Sequence, residues 1–150
     1  MRSPSAAAPA ALVCVDPACV PDVWPHVAPL IARALRRGGF APCAEDACAD
    51  LARRLRAGTA LLWLAWDGER ILAAAVTELA HEDCAKDRAK VCTIVACAGE
   101  DFARFGHLIA GLEAHARAEG CARMRICGRP GWRRRLPGYA LARVVIEKRL

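Results

Sequence analysis

Two carboxylates and one imidazole lie close together near the end of an apolar run, and these are groups that move protons. Glu78 lies within the run 71–80, and His81 and Glu82 follow it. A carboxylate or a neutral imidazole can accept the proton of an attacking nucleophile, directly or through a water molecule. The same residues are also typical of a solvated turn. The sequence therefore gives Glu78, Glu82 and His81 as candidate general bases beside that structural alternative.

A second segment with chemical potential joins the apolar run 90–98 to the helical pattern that follows it. It contains Glu100 and Asp101 and a single late glycine, Gly106. Backbone N–H groups at a helix start can bind an anion. Glu100 would repel that anion, because two unit charges about 4 Å apart interact by several kcal/mol at an intermediate dielectric. Arg104 could offset part of the repulsion. Alternatively, Glu100 and Asp101 only complement the helix dipole.

Helical and strand patterns alternate around these segments. Apolar residues recur at helical spacing over 23–37, where Pro29 predicts a kink and Gly38 a stop. Asp67-Gly68 between two apolar runs predicts a hairpin. The other predicted helices span 44–57, 105–120 and a short turn at 132–134. The predicted strands span 11–15, 60–66, 71–80, 90–98, 122–127 and 141–150, and residues 81–88 are predicted to form a loop.

The element order, β-α-α-β-β-β-α-β-(short helix)-β, predicts the α/β class with a mixed sheet (α+β) flanked by helices. We expect a single domain over 1–150 with a flexible start at about residues 1–10. The order resembles that of the Gcn5-related N-acetyltransferase (GNAT) superfamily along nearly the whole chain. Three local sequence features accompany this order: the Asp-Gly hairpin, a long helix ending Ala118-Glu119-Gly120-Cys121, and Gly138-Tyr139 before the last strand.

This resemblance implies an acetyl-CoA-dependent N-acetyltransferase that acts on a small-molecule or protein amine. In the family, pantetheine pairs with the fourth strand and the following loop holds the pyrophosphate. The implied cofactor-binding residues are Val95, Ala96, Cys97, Phe102, Ala103, Arg104, Phe105 and Gly106. The family's general acid is often a Tyr in the last short helix, and residues 132–134 contain none. Tyr139, the only Tyr in the chain, is the candidate proton donor or else a half-buried packing residue.

The loop departs from the family's usual Arg/Gln-x-x-Gly-x-Gly/Ala pattern, and this keeps a second interpretation open. Glu100 replaces the usual Arg or Gln, while Ala103 and Phe105 carry Cβ atoms where glycine is normal. The Gly-Arg-x-Gly-Trp stretch that ends at Trp132 is similar to acetyltransferase-like proteins of phages and prophages. The alternative function is therefore a catalytically inactive structural or protein-interaction protein.

The C-terminal quarter is basic and supports a third interpretation. The net charge of the chain is +6, whereas residues 117–150 contain nine Arg and one Lys against two Glu, a balance of +8. A basic surface can bind phosphates, nucleic acid or an acidic protein, and Trp132 could stack on a base. A solvated charged face is the alternative. The residues concerned are Arg123, Arg125, Arg129, Arg133, Arg134 and Arg135.

Nine cysteines, without a C-x-x-C pair, are expected to be small buried side chains in a reducing cytosol. We expect no metal site, because His107 and His115 lie too far apart on one helix for a zinc motif. No apolar run is long enough to span a membrane, so we expect a cytoplasmic protein. Edge strands of this fold often pair, which leaves a homodimer as an alternative to a monomer.

Overall fold

The structure, a computed structural model, describes residues 9–38, 44–83, 85–129, 131–142, 146, 148 and 150. Within these residues one sheet runs in the order β1-β2-β3-β4-β5. Its strands are β1 Ala11–Val15, β2 Leu61–Trp66, β3 Ile71–Asp83, β4 Arg88–Gly99 and β5 Arg123–Ile126. The helices are α1 Val20–Gly38, α2 Ala44–Ala57, α3 Phe102–Phe105, α4 Ile109–Ala118 and α5 Trp132–Arg135, and 3-10 turns lie at Pro17–Cys19 and Gly106–Leu108.

The sheet is mixed, which confirms the predicted fold class. Strands β1 to β4 pair antiparallel with their neighbours, whereas β4 and β5 pair parallel. Parallel neighbours need a crossover connection, and the segment that contains α3 and α4 provides it.

Helices α1 and α2 cover one face of the sheet. Val27 and Ile31 of α1 and Leu55 of α2 are almost fully buried in a core shared with strand residues such as Leu62. Helix α1 runs through Pro25 and Pro29 as one helix from Val20 to Gly38. Each internal proline removes one backbone hydrogen bond, and the buried face of the helix offsets that loss.

The other face is covered by α4 and α5. Ile109 and Leu112 pack with Trp63 and Ile94 in a second core cluster. The indole N–H of Trp63 donates a buried hydrogen bond of 2.9 Å to the hydroxyl of Thr77. Where the sequence predicts one helix from residue 105, the chain forms α3, then a 3-10 turn, and then α4.

The predicted loop at 81–88 is wrong at both ends, because β3 continues to Asp83 and β4 begins at Arg88, although residues 85–87 lie outside the strands. His81 pairs with Lys90 and Glu82 with Ala89 in the ladder. These side chains are polar because this end of the hairpin lies away from the core, while its backbone groups still pair. The end of this long hairpin is therefore formed by strand residues that do not alternate between apolar and polar side chains.

The predicted last strand, 141–150, falls partly on residues 143–145, 147 and 149, which lie outside the described residues. Its described residues do not belong to the sheet. Residues 1–8 of the predicted flexible start also lie outside the described part. The expectation of buried cysteines is wrong for Cys14 and Cys19, which are exposed; of the seven described cysteines, only Cys92 is fully buried.

Candidate functional site

Strands β4 and β5 separate beyond a short paired stretch, and a gap opens between them. Residues Val91 to Ile94 pair with Arg123 to Ile126. The last contact is a hydrogen bond of 2.9 Å from the Cys127 N–H to the Ile94 carbonyl. Strand β4 continues to Gly99, and in the described part of the chain no strand pairs with residues 95–99 on that side. The β4 backbone therefore faces the gap with groups that a ligand can use.

A β-bulge lies where the separation begins. On β3, Thr77 pairs with Ile94 and the preceding Val76 pairs with Ala96, so Val95 has no partner on β3. Val95 and Ala96 both pack toward the α1–α2 core, whereas Cys97 packs toward the opposite core. A bulge bends its strand and re-aims its side chains, and bulges often lie next to active sites.

The gap forms a cavity of about 330 Å³ that reaches from α1 to α5. This volume falls within the roughly 300–1,000 Å³ of small-molecule sites. Five of the predicted cofactor-binding residues line it: Val95, Ala96, Cys97, Phe102 and Phe105. Burial raises the pKa of the Cys97 thiol to about 11, so this side chain is uncharged at neutral pH.

Three other predicted cofactor-binding residues, Ala103, Arg104 and Gly106, are not part of that lining. Arg104 reaches away from the cavity and forms an ion pair of 3.1 Å with Asp67 in the β2–β3 turn. The backbone N–H groups of Arg70 and Glu69, followed by the Arg104 guanidinium, hold the pKa of Asp67 below its usual value. Arg104 is therefore engaged and does not neutralise Glu100.

The loop after β4 is tightly constrained. The Glu100 N–H donates to the Leu72 carbonyl at 3.1 Å, and both Glu100 and Asp101 line the cavity. Asp101 has a φ of 59°, and it caps α3 without a side-chain hydrogen bond. A non-glycine residue in this left-handed region is uncommon, and such strained residues cluster at ligand sites.

An aromatic partition closes one end of the cavity. The Phe102 ring contacts Phe105 and Trp132 edge-to-face, with centroids 5.3 and 5.5 Å apart. The Arg135 guanidinium lies 5.2 Å from the centroid of the same ring. Beyond Phe102 lies a second cavity of about 360 Å³, which Gly106 and Arg135 also line. Phe102 and Arg135 border both cavities and therefore separate them.

The lining of the first cavity carries a positive balance. It contains four arginines against the two acidic residues Glu100 and Asp101. Arg129 and Arg135, two of the basic-surface residues predicted from the sequence, lie on the α5 side. Sequence reasoning missed the other two, Arg33 and Arg37 of α1. Their i, i+4 spacing on a helix face is the signal that could have found them.

The three candidate acid–base groups lie outside the first cavity and have partners. Glu78 forms an ion pair with Arg54 of α2. The Tyr139 phenol donates to the Glu113 carboxylate at 3.1 Å and lines the second cavity. Burial, followed by the bond to Glu113, raises the pKa of Tyr139 above its ordinary value.

Glu82 accepts two hydrogen bonds, of 2.5 and 2.9 Å, from the guanidinium of Arg125 on β5. This pair crosses β4, and the hydrogen bonds raise the pKa of Arg125 above its usual value. His81 is exposed on β3. The catalytic roles given to Glu78, Glu82 and Tyr139 from the sequence stay predictions.

The basic residues of the C-terminal quarter do not form one free surface. Arg125 is engaged by Glu82, whereas Arg129 and Arg135 are exposed and also line the cavity. Arg133 and Arg134 are exposed on α5. Among the described residues, no group of three or more metal-ligating side chains converges, and no helix there combines the length and the apolarity that a membrane span requires.

The fold is that of the GNAT acetyltransferases. A GNAT-family acetyltransferase from Staphylococcus aureus has 12% identity and a TM-score of 0.61 over 95% of this chain and 99% of that chain. The aminoglycoside N-acetyltransferase AAC(6')-Iy in complex with CoA has 14% identity and a TM-score of 0.66 over 93% and 94%. A predicted acetyltransferase from Clostridium acetobutylicum with acetyl-CoA has 12% identity and a TM-score of 0.66 over 93% and 96%. No protein-family model and no curated protein matches the sequence.

Proposed function

We propose that this protein is an acetyl-CoA-dependent N-acetyltransferase that transfers an acetyl group to an amine. The observation that carries the proposal is the open edge of β4, residues 95–99, along a cavity of about 330 Å³. Two proteins of the same fold contain CoA or acetyl-CoA. Fold alone does not fix function, so the proposal depends on this gap and its lining.

The residues of the gap fit such a cofactor. The unpaired β4 backbone offers donors and acceptors to the amide groups of pantetheine, and the walls there are formed by small side chains such as Ala96 and Ala98. Arg129 and Arg135 supply guanidinium groups that suit phosphate oxygens. When bound, acetyl-CoA supplies a thioester as the acetyl donor.

Backbone N–H groups and apolar side chains of the protein would stabilise developing charge and exclude water in the gap. Backbone N–H groups near the bulge at Val95 are fixed donors for an oxygen on which negative charge develops. Leu35 and Phe105 form apolar walls that exclude water from the gap. Glu78 and Glu82 lie outside this cavity, so the proton of the amine would reach either carboxylate only through water. Tyr139 would have to leave Glu113 before it could donate a proton to the leaving group.

The test is a calorimetric titration of the protein with acetyl-CoA and with CoA. Micromolar binding is expected, followed by acetyl transfer in a screen of amines. Glu100→Gln should tighten CoA binding several-fold, since the carboxylate lines the cavity and repels phosphate. Glu69→Gln, in the exposed β2–β3 turn, is the matched control. Equal affinities for both variants would show that Glu100 lies away from the bound cofactor.

One observation favours a second candidate function, a catalytically inactive acetyltransferase-like protein. Phe102 and Arg135 separate the two cavities, and a cofactor long enough to reach both must displace them. Glu78, Glu82 and Tyr139 are also engaged with other side chains. No binding at millimolar acetyl-CoA would support this function over the enzyme and would direct the search to a protein partner.

A further inference from the structure

The α1 end of the first cavity carries two arginines for which the proposed reaction gives no role. Arg33 and Arg37 lie four residues apart on one helix face, and both line the cavity together with Ala34 and Leu35. Like charges at this spacing repel each other. Neither guanidinium pairs with a carboxylate among the described residues. Two neighbouring guanidinium groups at a cavity wall form a site for an oxyanion.

The neighbouring Arg36 shows that not every arginine at the end of α1 lines the cavity without a carboxylate partner. Arg36 lies outside the cavity lining and contacts the Glu45 carboxylate of α2 at 3.7 Å. All three side chains are close to the C-terminus of α1, where cations complement the helix dipole. Arg33 and Arg37 are exposed, so water can solvate them, and what distinguishes them from Arg36 is that both line the cavity.

The two pairs of arginines lie at opposite ends of the gap. Helix α1 packs on the face that contains Ala96, whereas Phe102 and Trp132 pack on the opposite face. Arg135 lies against the Phe102 ring on that second face, and Arg129 lines the cavity together with Trp132. The α1 end of the cavity is therefore available to the amine that accepts the acetyl group.

We infer that the acceptor amine carries an oxyanion group, a carboxylate or a phosphate, which Arg33 and Arg37 bind. This inference rests on the proposed function and specifies the substrate class of the same site. An amine with an anionic group is held by the arginine pair with its nitrogen directed along the gap toward β4. Polyamines and aminoglycosides carry several positive charges, which the guanidinium groups of Arg33 and Arg37 at this end of the cavity repel.

The first test measures anion binding without requiring activity. With CoA at saturation, added inorganic phosphate should raise the Tm of the wild-type protein and of Arg36→Gln. A ligand that binds only the folded state stabilises it. The double variant Arg33→Gln/Arg37→Gln should bind CoA with unchanged affinity but lose the phosphate effect. An equal phosphate effect in the double variant, or a CoA affinity reduced in it as strongly as in Arg129→Gln, would overturn the inference.

The second test uses three amines that differ in one group. Serine carries a carboxylate, O-phosphoethanolamine a phosphate, and ethanolamine neither. Transfer to at least one anionic amine should exceed transfer to ethanolamine by tenfold or more, and the better of the two identifies the anion. This preference should fall in the double variant and persist in Arg36→Gln. Equal transfer to all three would contradict the inference, whereas failure of CoA to bind at all would instead refute the proposed function.

Discussion

Replacing Gly99 with alanine tests the close packing that fixes the end of β4. A Cβ atom at this position would lie 2.5 Å from the Ala73 Cβ, 2.8 Å from the Leu72 carbonyl oxygen and 2.9 Å from Cε1 of Phe105. Two of these neighbours belong to β3, so the strands themselves must shift. Overpacking of this kind costs typically about 1–3 kcal/mol. We take about 2 kcal/mol for Gly99→Ala, which corresponds to a Tm lower by about 4–8 °C in a chain of this size.

Differential scanning calorimetry of Gly99→Ala beside Gly131→Ala provides the measurement. A Cβ at Gly131 would meet no atom within 4 Å, and its φ of −58° suits alanine. The control should therefore stay within about 0.5 kcal/mol of the wild type, as most surface substitutions do. If both variants melt at the same temperature, the strands are not as closely packed at Gly99 as the structure describes.

Three other changes have definite expected outcomes. Thr77→Val leaves the buried indole N–H of Trp63 without its acceptor, so urea unfolding should give a loss of about 1–3 kcal/mol; an unchanged midpoint would show that the indole finds another acceptor. At pH 8, iodoacetamide should alkylate the exposed Cys19 and spare Cys97, whose thiolate forms only as the pH approaches about 11; peptide mass spectrometry would reveal any equal labelling, which would contradict the raised pKa of the Cys97 thiol. Arg104→Gln removes the ion pair to the β2–β3 turn and should speed amide hydrogen exchange in that turn, whereas unaltered exchange would mean that the turn is held by its own backbone bonds.

The sequence predicted most of the fold because its local signals agree with the tertiary structure. The Asp67-Gly68 turn lies between β2 and β3 as expected, and the bounds predicted for α2 are those observed. Predictions failed where backbone pairing, rather than side-chain type, decides the structure. His81 and Glu82 read as loop residues because they are polar, yet the ladder to β4 includes them.

The candidate site was only partly predictable for a related reason. Val95, Ala96 and Cys97 could be predicted as site residues because the resemblance to the GNAT superfamily implies that the cofactor pairs with the fourth strand. The partners of a side chain depend on residues distant in the sequence. No local pattern predicts that Tyr139 donates a hydrogen bond to Glu113, or that Arg33 and Arg129 line the same cavity. Long-range packing decides such contacts, and the periodicity of apolar residues in a single sequence does not predict them.

The bulge at Val95 has a consequence for how β4 tolerates a change of length. Ile94 packs toward one core, Val95 and Ala96 toward the other, and Cys97 toward the first again. Removal of this single residue would restore strict alternation and leave every remaining side chain on its present face. The extra residue is therefore not needed for the pairing of β4 with β3, although the Val95 side chain packs against the α1–α2 core. What it supplies is a bulge, which bends a strand, at the point where the pairing of β4 with β5 ends.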